Sequence, residues 1–251
     1  MISRLRTLVR RLAALRHRGP MPLEVWIEHH RKVIERDVAE VLHHIPEGAT
    51  FLDVGANCGL FTEAVLAARP GSRAFLFEPM RRYYDHCVER FRGNDLVSVH
   101  HTGLSSTEEE LTIYLTPNNY GGNSVVRELM YDPRETPLVP HGTVLKEDRV
   151  RCRPFHVLAQ ELGIEQVDFI KTDTEGYDHA VLRGMLPFLR KTPRLPVILS
   201  ELLREDFHPF RAQQREVIDA ITALGYHPID MSQMTERVGD YVFVPLDRGG
   251  P

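Results

Sequence analysis

The sequence predicts an α/β fold: a mostly parallel sheet with helices packed on both faces, preceded by a helical N-terminal extension. Three observations carry this. From Thr50 onward, short apolar runs alternate with longer amphipathic stretches, the pattern of successive βαβ units. Several of the runs are continuously apolar rather than alternating, as strands covered on both faces must be. Gly and Pro mark many of the boundaries between the segments. The length of 251 residues, with 42% hydrophobic and 26% charged side chains, suits one large domain with an extension. It argues against wholesale disorder, collagen or a coiled coil.

The elements follow in order. Residues 4–16 place Leu5, Leu8, Val9, Leu12 and Leu15 at helical spacing with arginines between them. The segment lacks the uninterrupted apolar core and small-residue cleavage site of a secretory signal. It reads as a terminal helix that packs on the body or caps the site, with weak contact to a membrane surface as the other reading. Gly19-Pro20-Met21-Pro22 breaks it, and a second helix is expected over about 23–44, closed by Pro46-Glu47-Gly48. Residues 1–48 are thus the extension and 49–251 the sheet domain. Strand 50–55, helix 60–68, strand 73–78, helix 80–91 and strand 96–101 come next. Residues 104–150 break the rhythm: 111–115 alternate like an exposed strand, 116–123 are turn-rich and 131–142 hold three prolines. This is read as an insertion, part hairpin and part long loop, of the kind that forms lids. The alternation resumes with strand 148–155, helix 156–162, strand 167–173, helix 178–189, strand 195–202, helix 211–224 and strands 226–231 and 241–245. Leu52, Val54, Phe75, Phe77, Phe169, Ile170, Val197, Ile198 and Leu199 are the expected core.

Charge and cysteine usage narrow the function. The formal net charge is −4, but six of the 31 Lys and Arg residues fall within residues 1–18, which hold no acid. The remainder carries 25 basic and 35 acidic side chains, so the body is not a general nucleic-acid binder. No run of about 18 apolar residues is present to span a bilayer. Cys58, Cys87 and Cys152 have no C-x-x-C spacing, which fits a reducing compartment, and a cytoplasmic location is expected.

The chemistry concentrates at strand ends. In 51–62 a strand runs into Asp53-Val54-Gly55-Ala56-Asn57-Cys58-Gly59 and then a helix. Gly55 allows a sharp turn and Gly59 a close approach of backbone to ligand. Glu78 ends the next strand, 19 residues after Gly59, where an acid can take both hydroxyls of a ribose. The glycine spacing is not the G-x-G-x-x-G of dinucleotide sites. Asp53 would repel a diphosphate and suits a ligand with a cation, so S-adenosylmethionine, with its sulfonium and ammonium, is favoured over NAD. A second cluster, 167–184, places Asp168, Asp173, Glu175 and Asp178 around a strand end, and Glu201 ends the following strand. In an open α/β sheet these ends face one crevice. Asp178 is assigned to the start of its helix, stabilising the dipole.

Together these segments resemble the FkbM family of S-adenosylmethionine-dependent methyltransferases. The resemblance rests on Asp-Val-Gly-Ala-Asn-x-Gly at 53–59, Phe77-Glu78-Pro79, Ile-Lys-x-Asp-x-Glu-Gly at 170–176, Val-Leu-x-Gly at 181–184 and Glu201. It covers about residues 50–245. It implies a class I, Rossmann-like sheet of seven strands with the last antiparallel, and O-methylation of hydroxyls on sugars, polyketides and other natural products. It implies that Asp53, Gly55, Asn57 and Gly59 surround the methionine part of the cofactor. Glu78 takes the ribose, Pro79, Leu104 and Ser105 lie near ribose and adenine, and Asp173 approaches the methionine end.

For catalysis, Glu175, Glu201 and His179 are the candidate bases, His179 for its pKa range. Asp173 and Glu201 with a neighbouring carboxylate offer hard oxygen donors for Mg²⁺. The paired histidines lack zinc spacing, and no protein metal site is assigned. The loop 118–126, with Asn119, Tyr120 and Asn123, is a candidate gate. Trp26 either packs the extension onto the body or lines an acceptor pocket. The expected partner is a small-molecule acceptor, with a homodimer contact left open. N-methylation of an amine or peptide, and a non-catalytic cofactor-binding partner protein, are the alternatives.

Overall fold

Seven strands form the main sheet of this computed structural model, which describes residues 22–116, 120–131, 144–203, 209–230 and 238–246. The strands are β1 (Thr50–Val54), β2 (Arg73–Phe77), β3 (Val97–His100), β7 (Phe169–Thr172), β8 (Val197–Leu203), β9 (Tyr226–Asp230) and β10 (Val238–Pro245), in the order β3-β2-β1-β7-β8-β10-β9. β10 runs antiparallel to both neighbours, while the other pairs are parallel. The chain winds outward from β1 to β3 on one side and from β7 on the other. The topology therefore switches between β1 and β7, and a crevice opens beyond their carboxyl ends.

Among the described residues, six α-helices cover the sheet: α1 (Leu23–Val41), α2 (Leu60–Ala68), α3 (Arg81–Arg90), α4 (Phe155–Leu162), α5 (Asp178–Leu189) and α6 (Arg211–Ala223). Successive strand residues point to opposite faces. Phe51, Phe169 and Val197 thus meet Val38 and Val41 of α1, Val65 of α2 and Cys87 of α3. Leu52, Ile170 and Ile198 meet Phe155 of α4, Val181 of α5 and Val217 of α6. This two-sided cover explains the unbroken apolar runs. Seven of the nine expected core residues are fully buried; Phe75 and Leu199 are half-buried. No helix among the described residues is long and apolar enough to cross a membrane.

The insertion builds a second sheet of three strands, β4 (Gly103–Leu104), β5 (Glu109–Leu115) and β6 (Lys146–Arg153), in the order β4-β6-β5. The strand expected at 148–155 does not resume the main sheet; it pairs antiparallel with β5, from Glu109↔Cys152 to Leu115↔Lys146. Only Val150 and Cys152 of β6 are buried. That one-sided pattern belongs to a sheet with one face in water. The expected helix at 4–16, Asn118 and Asn119 of the candidate gate and most of the proline-rich stretch 131–142 lie outside the described residues.

Candidate active site

The crevice is built first from the turn after β1. Gly55 sits at φ 70°, and a Cβ there would lie 2.1 Å from the carbonyl oxygen of Asp173. The turn and the end of β7 are therefore in direct backbone contact, which glycine alone permits. Asn57 is also left-handed, at φ 50°, a region Asn tolerates better than most residues. Its side chain closes the turn: Oδ1 accepts from Cys58 N at 2.7 Å, and Nδ2 donates to Tyr120 O at 2.8 Å. At Gly59 the close approach is to Phe91, whose ring would lie 2.7 Å from a Cβ.

Glu78 follows β2 and is buried. Its Oε2 accepts from Asn57 N and its Oε1 from Met80 N, both at 2.8 Å. Burial pushes its carboxyl up to about 7, against the pull of these two amides and of Lys171. Pro79 and Leu104 line the same wall, joined by Met80, Ile113, Val150 and Cys152. The last three come from the small sheet. Sequence reasoning missed them, although the alternation of 111–115 put Ile113 on the inward face. Ser105 is fully buried behind this wall, donating to Glu109 and beside the Tyr177 hydroxyl at 3.3 Å.

Lys171 and the acids form the other end. Asp53, fully buried, accepts from Thr62 Oγ1 at 2.8 Å and lies 3.2 Å from Lys171 Nζ. It is not among the residues that line the crevice; Gly55, Asn57, Glu78, Asp173 and Glu175 are. Burial pulls the Lys171 ammonium down, but Asp53 and Asp173 together hold it above its usual value. Beyond it, carboxylate oxygens of Asp173, Glu175 and Glu201 all lie within 4.8 Å of one another. β8 brings Glu201 there, opposite Asp240 of β10, and Asp240 lines the crevice as well. His179 does not join them. It is buried, stacked on Phe210 with ring centroids 5.1 Å apart and meeting Tyr177 edge-on at 5.5 Å. Asp178 accepts from Thr174 N at 3.2 Å, inside the turn that opens its helix, and burial beside Asp173 pushes its carboxyl up to about 6.

The remaining wall is α1. Trp26, His30, Val33, Ile34, Asp37 and Val41 all face the crevice. Trp26 stacks on His30 at 4.0 Å and meets Tyr120 edge-on at 6.2 Å. Trp26 packs the extension onto the body and also lines the crevice. The segment around Tyr120 is tied to both turns. Tyr120 O also accepts from Tyr83 OH at 3.2 Å, and Ser124 Oγ donates to Glu175 O at 2.6 Å.

The methyltransferase FkbM domain matches residues 53–228, more than half of the chain. The chain belongs to the FkbM family. It is a methyltransferase dependent on S-adenosylmethionine, of the class EC 2.1.1.-. Methyltransferase sdnD of Sordaria araneosa is 28% identical over 173 residues, covering 61% of this chain and 67% of that one. The 2-O-methyltransferase NoeI of Sinorhizobium fredii is 24% identical over 178 residues, 68% of this chain and 70% of that one. The AMB antimetabolite synthetase AmbE of Pseudomonas aeruginosa is 28% identical over 167 residues, which span 56% of this chain but 8% of AmbE. Among solved structures, a putative rRNA methylase of Clostridium thermocellum superposes with a TM-score of 0.50 at 8% identity, over 83% of this chain and 92% of that one. That likeness concerns the fold alone.

The residues of this FkbM protein fit the methyl donor. The left-handed Gly55 and Asn57 hold backbone at the crevice wall, the buried Glu78 carboxyl stands beside that turn, and an apolar wall from the small sheet suits a flat base.

Proposed function

We propose that the chain methylates a hydroxyl oxygen of a small molecule, with the acceptor held between α1 and the carboxylates of Asp173, Glu175 and Glu201. The observation that carries this reading is the meeting of those three carboxylates beside the turn that follows β1. S-adenosylmethionine, when bound, supplies a methyl group already activated by its sulfonium. The protein's task is then to align the acceptor oxygen, exclude water and receive a proton. Orientation of this kind contributes about 7–11 kcal/mol in favourable cases. In the proposal, Glu78 holds the ribose and Gly55, Asn57 and Asp173 face the methionine part, with Pro79 and Leu104 toward the base. Glu175 or Glu201 takes the hydroxyl proton. His179, held between two rings, supports the turn instead.

Asp173, Glu175 and Glu201 are also the residues that would hold Mg²⁺, a hard ion that stabilises an ionised hydroxyl. The name of NoeI, a 2-O-methyltransferase, supports an oxygen acceptor. Asp37 and Asp240, which add to the acids of the crevice, favour N-methylation of a cationic amine as the second reading. A screen of hydroxylated and amine acceptors, read by release of S-adenosylhomocysteine with and without EDTA, separates these readings. Hydroxyl turnover is expected, and turnover of amines alone would overturn it. With an acceptor in hand, Glu201→Gln is expected to lower kcat by about 10²-fold with cofactor affinity kept. Unchanged kcat would remove Glu201 as the base. Trp26→Ala is expected to raise the acceptor KM by about tenfold, since an aromatic contact is worth about 0.5–1.5 kcal/mol beyond the area it buries. The KM for S-adenosylmethionine should stay within twofold.

A further inference from the structure

Lys171 stands in register with Asp53 on β1 and with Leu199 on β8. It is the one Lys or Arg among the described residues that line the crevice. Neutralising the buried Asp53 carboxylate would require a single contact, at 3.2 Å. Lys171 Nζ makes three more. It donates to the carbonyl oxygens of Gly55 at 2.9 Å and Val54 at 3.3 Å, and it lies 3.8 Å from Asp173 Oδ2. The two carbonyls belong to the turn that faces the methyl donor, and Asp173 to the strand end whose backbone that turn touches. One ammonium thus ties the two halves of the topological switch together.

We propose that Lys171 is a positioning residue for S-adenosylmethionine: by holding the Val54 and Gly55 carbonyls and the Asp173 carboxylate, it fixes the turn in its binding geometry. A side chain locked by several partners presents neighbouring groups without reorganisation when the ligand arrives. The inference rests on the cofactor reading given above.

Lys171→Met alone leaves Asp53 buried without its cation, a change that destabilises on its own account. Asp53→Asn/Lys171→Met removes both charges and separates the two roles. The double variant is expected to recover most of the lost thermal midpoint, yet to bind S-adenosylmethionine at least tenfold more weakly than the wild type by calorimetry. Asp53→Asn alone, which keeps the ammonium, is expected to bind more tightly than the double variant; an equal loss in the two would assign the effect to Asp53 and overturn the proposal. A folded double variant with wild-type cofactor affinity would overturn the proposal.

A second measurement needs no variant. The chain has four lysines, and Lys32, Lys146 and Lys191 are exposed, so Lys171 alone should give a slowly exchanging ammonium resonance in ¹⁵N-lysine spectra. That resonance is expected to shift on adding S-adenosylhomocysteine; a fixed resonance in protein that binds the ligand contradicts the proposal. Wild-type protein that binds neither compound would instead sink the cofactor reading itself.

Discussion

Replacing Gly55 with alanine is expected to abolish measurable S-adenosylmethionine binding and to lower the thermal midpoint by about 10 °C. Two costs combine. At φ 70° a non-glycine residue is strained by about 1–3 kcal/mol. The new Cβ would also lie 2.1 Å from the carbonyl oxygen of Asp173, a residue whose N–H is held by Val54 O just beyond β7, and such overpacking costs about 1–3 kcal/mol. In a domain of this size each kcal/mol moves the midpoint by about 2–4 °C. The only relief is to part the β1 turn from the end of β7, which opens the crevice where the cofactor is proposed to sit. Thermal melts and calorimetry on the variant check both effects. An alanine variant that binds and melts like the wild type would show that the two strand ends are not in contact.

Replacing Glu78 with glutamine is expected to weaken cofactor binding by about 10²-fold, because hydrogen bonds to a charged acceptor contribute about 1.5–3 kcal/mol each. The effect carries a pH signature. Burial pushes the folded-state carboxyl from 4.5 up to about 7, so the ionised form that accepts ribose hydroxyls is lost as pH falls below about 7. Wild-type affinity should therefore drop between pH 7.5 and 6, and the glutamine variant should be flat across that range. Stability runs the other way. A carboxyl raised on folding contributes stability that is complete below 4.5 and lost as pH rises to about 7. The ligand-free wild type should therefore lose midpoint over that window relative to the variant, which thermal melts at stepped pH would show. Calorimetry showing equal affinity for both proteins at pH 7.5 would remove Glu78 from the ribose site.

The sequence made the frame of the crevice readable because its parts are local. A strand, a glycine turn and a helix lie within residues 50–68, and the continuous apolar runs of β7 and β8 report burial on both faces. The adjacency of β1 and β7 follows from the switch between those units, while the count of seven strands with one antiparallel comes from the resemblance to the FkbM family. What was not readable depends on long-range pairing or on helix rotation. β6 reads as one more strand, and only its register with β5, joined through residues 116–145, moves it into a separate sheet. Ile113, Val150 and Cys152 reach the crevice through that pairing. His179 and Glu175 lie four residues apart, yet the turn of α5 sends His179 between Tyr177 and Phe210 and leaves Glu175 in the crevice wall. α1 reads in the sequence as part of a helical extension. Its rotation over the sheet, which sets Trp26 and Asp37 on one wall, is fixed by partners more than a dozen residues away.

The crevice as a methyl-donor site is the central claim, and a calorimetric titration of the folded wild-type chain with S-adenosylmethionine at pH 7.5 tests it most directly. Saturable binding of one cofactor per chain is expected, abolished by Gly55→Ala and weakened by Glu78→Gln. Folded wild-type protein that gives no saturable binding, or binding that neither substitution alters, would contradict it.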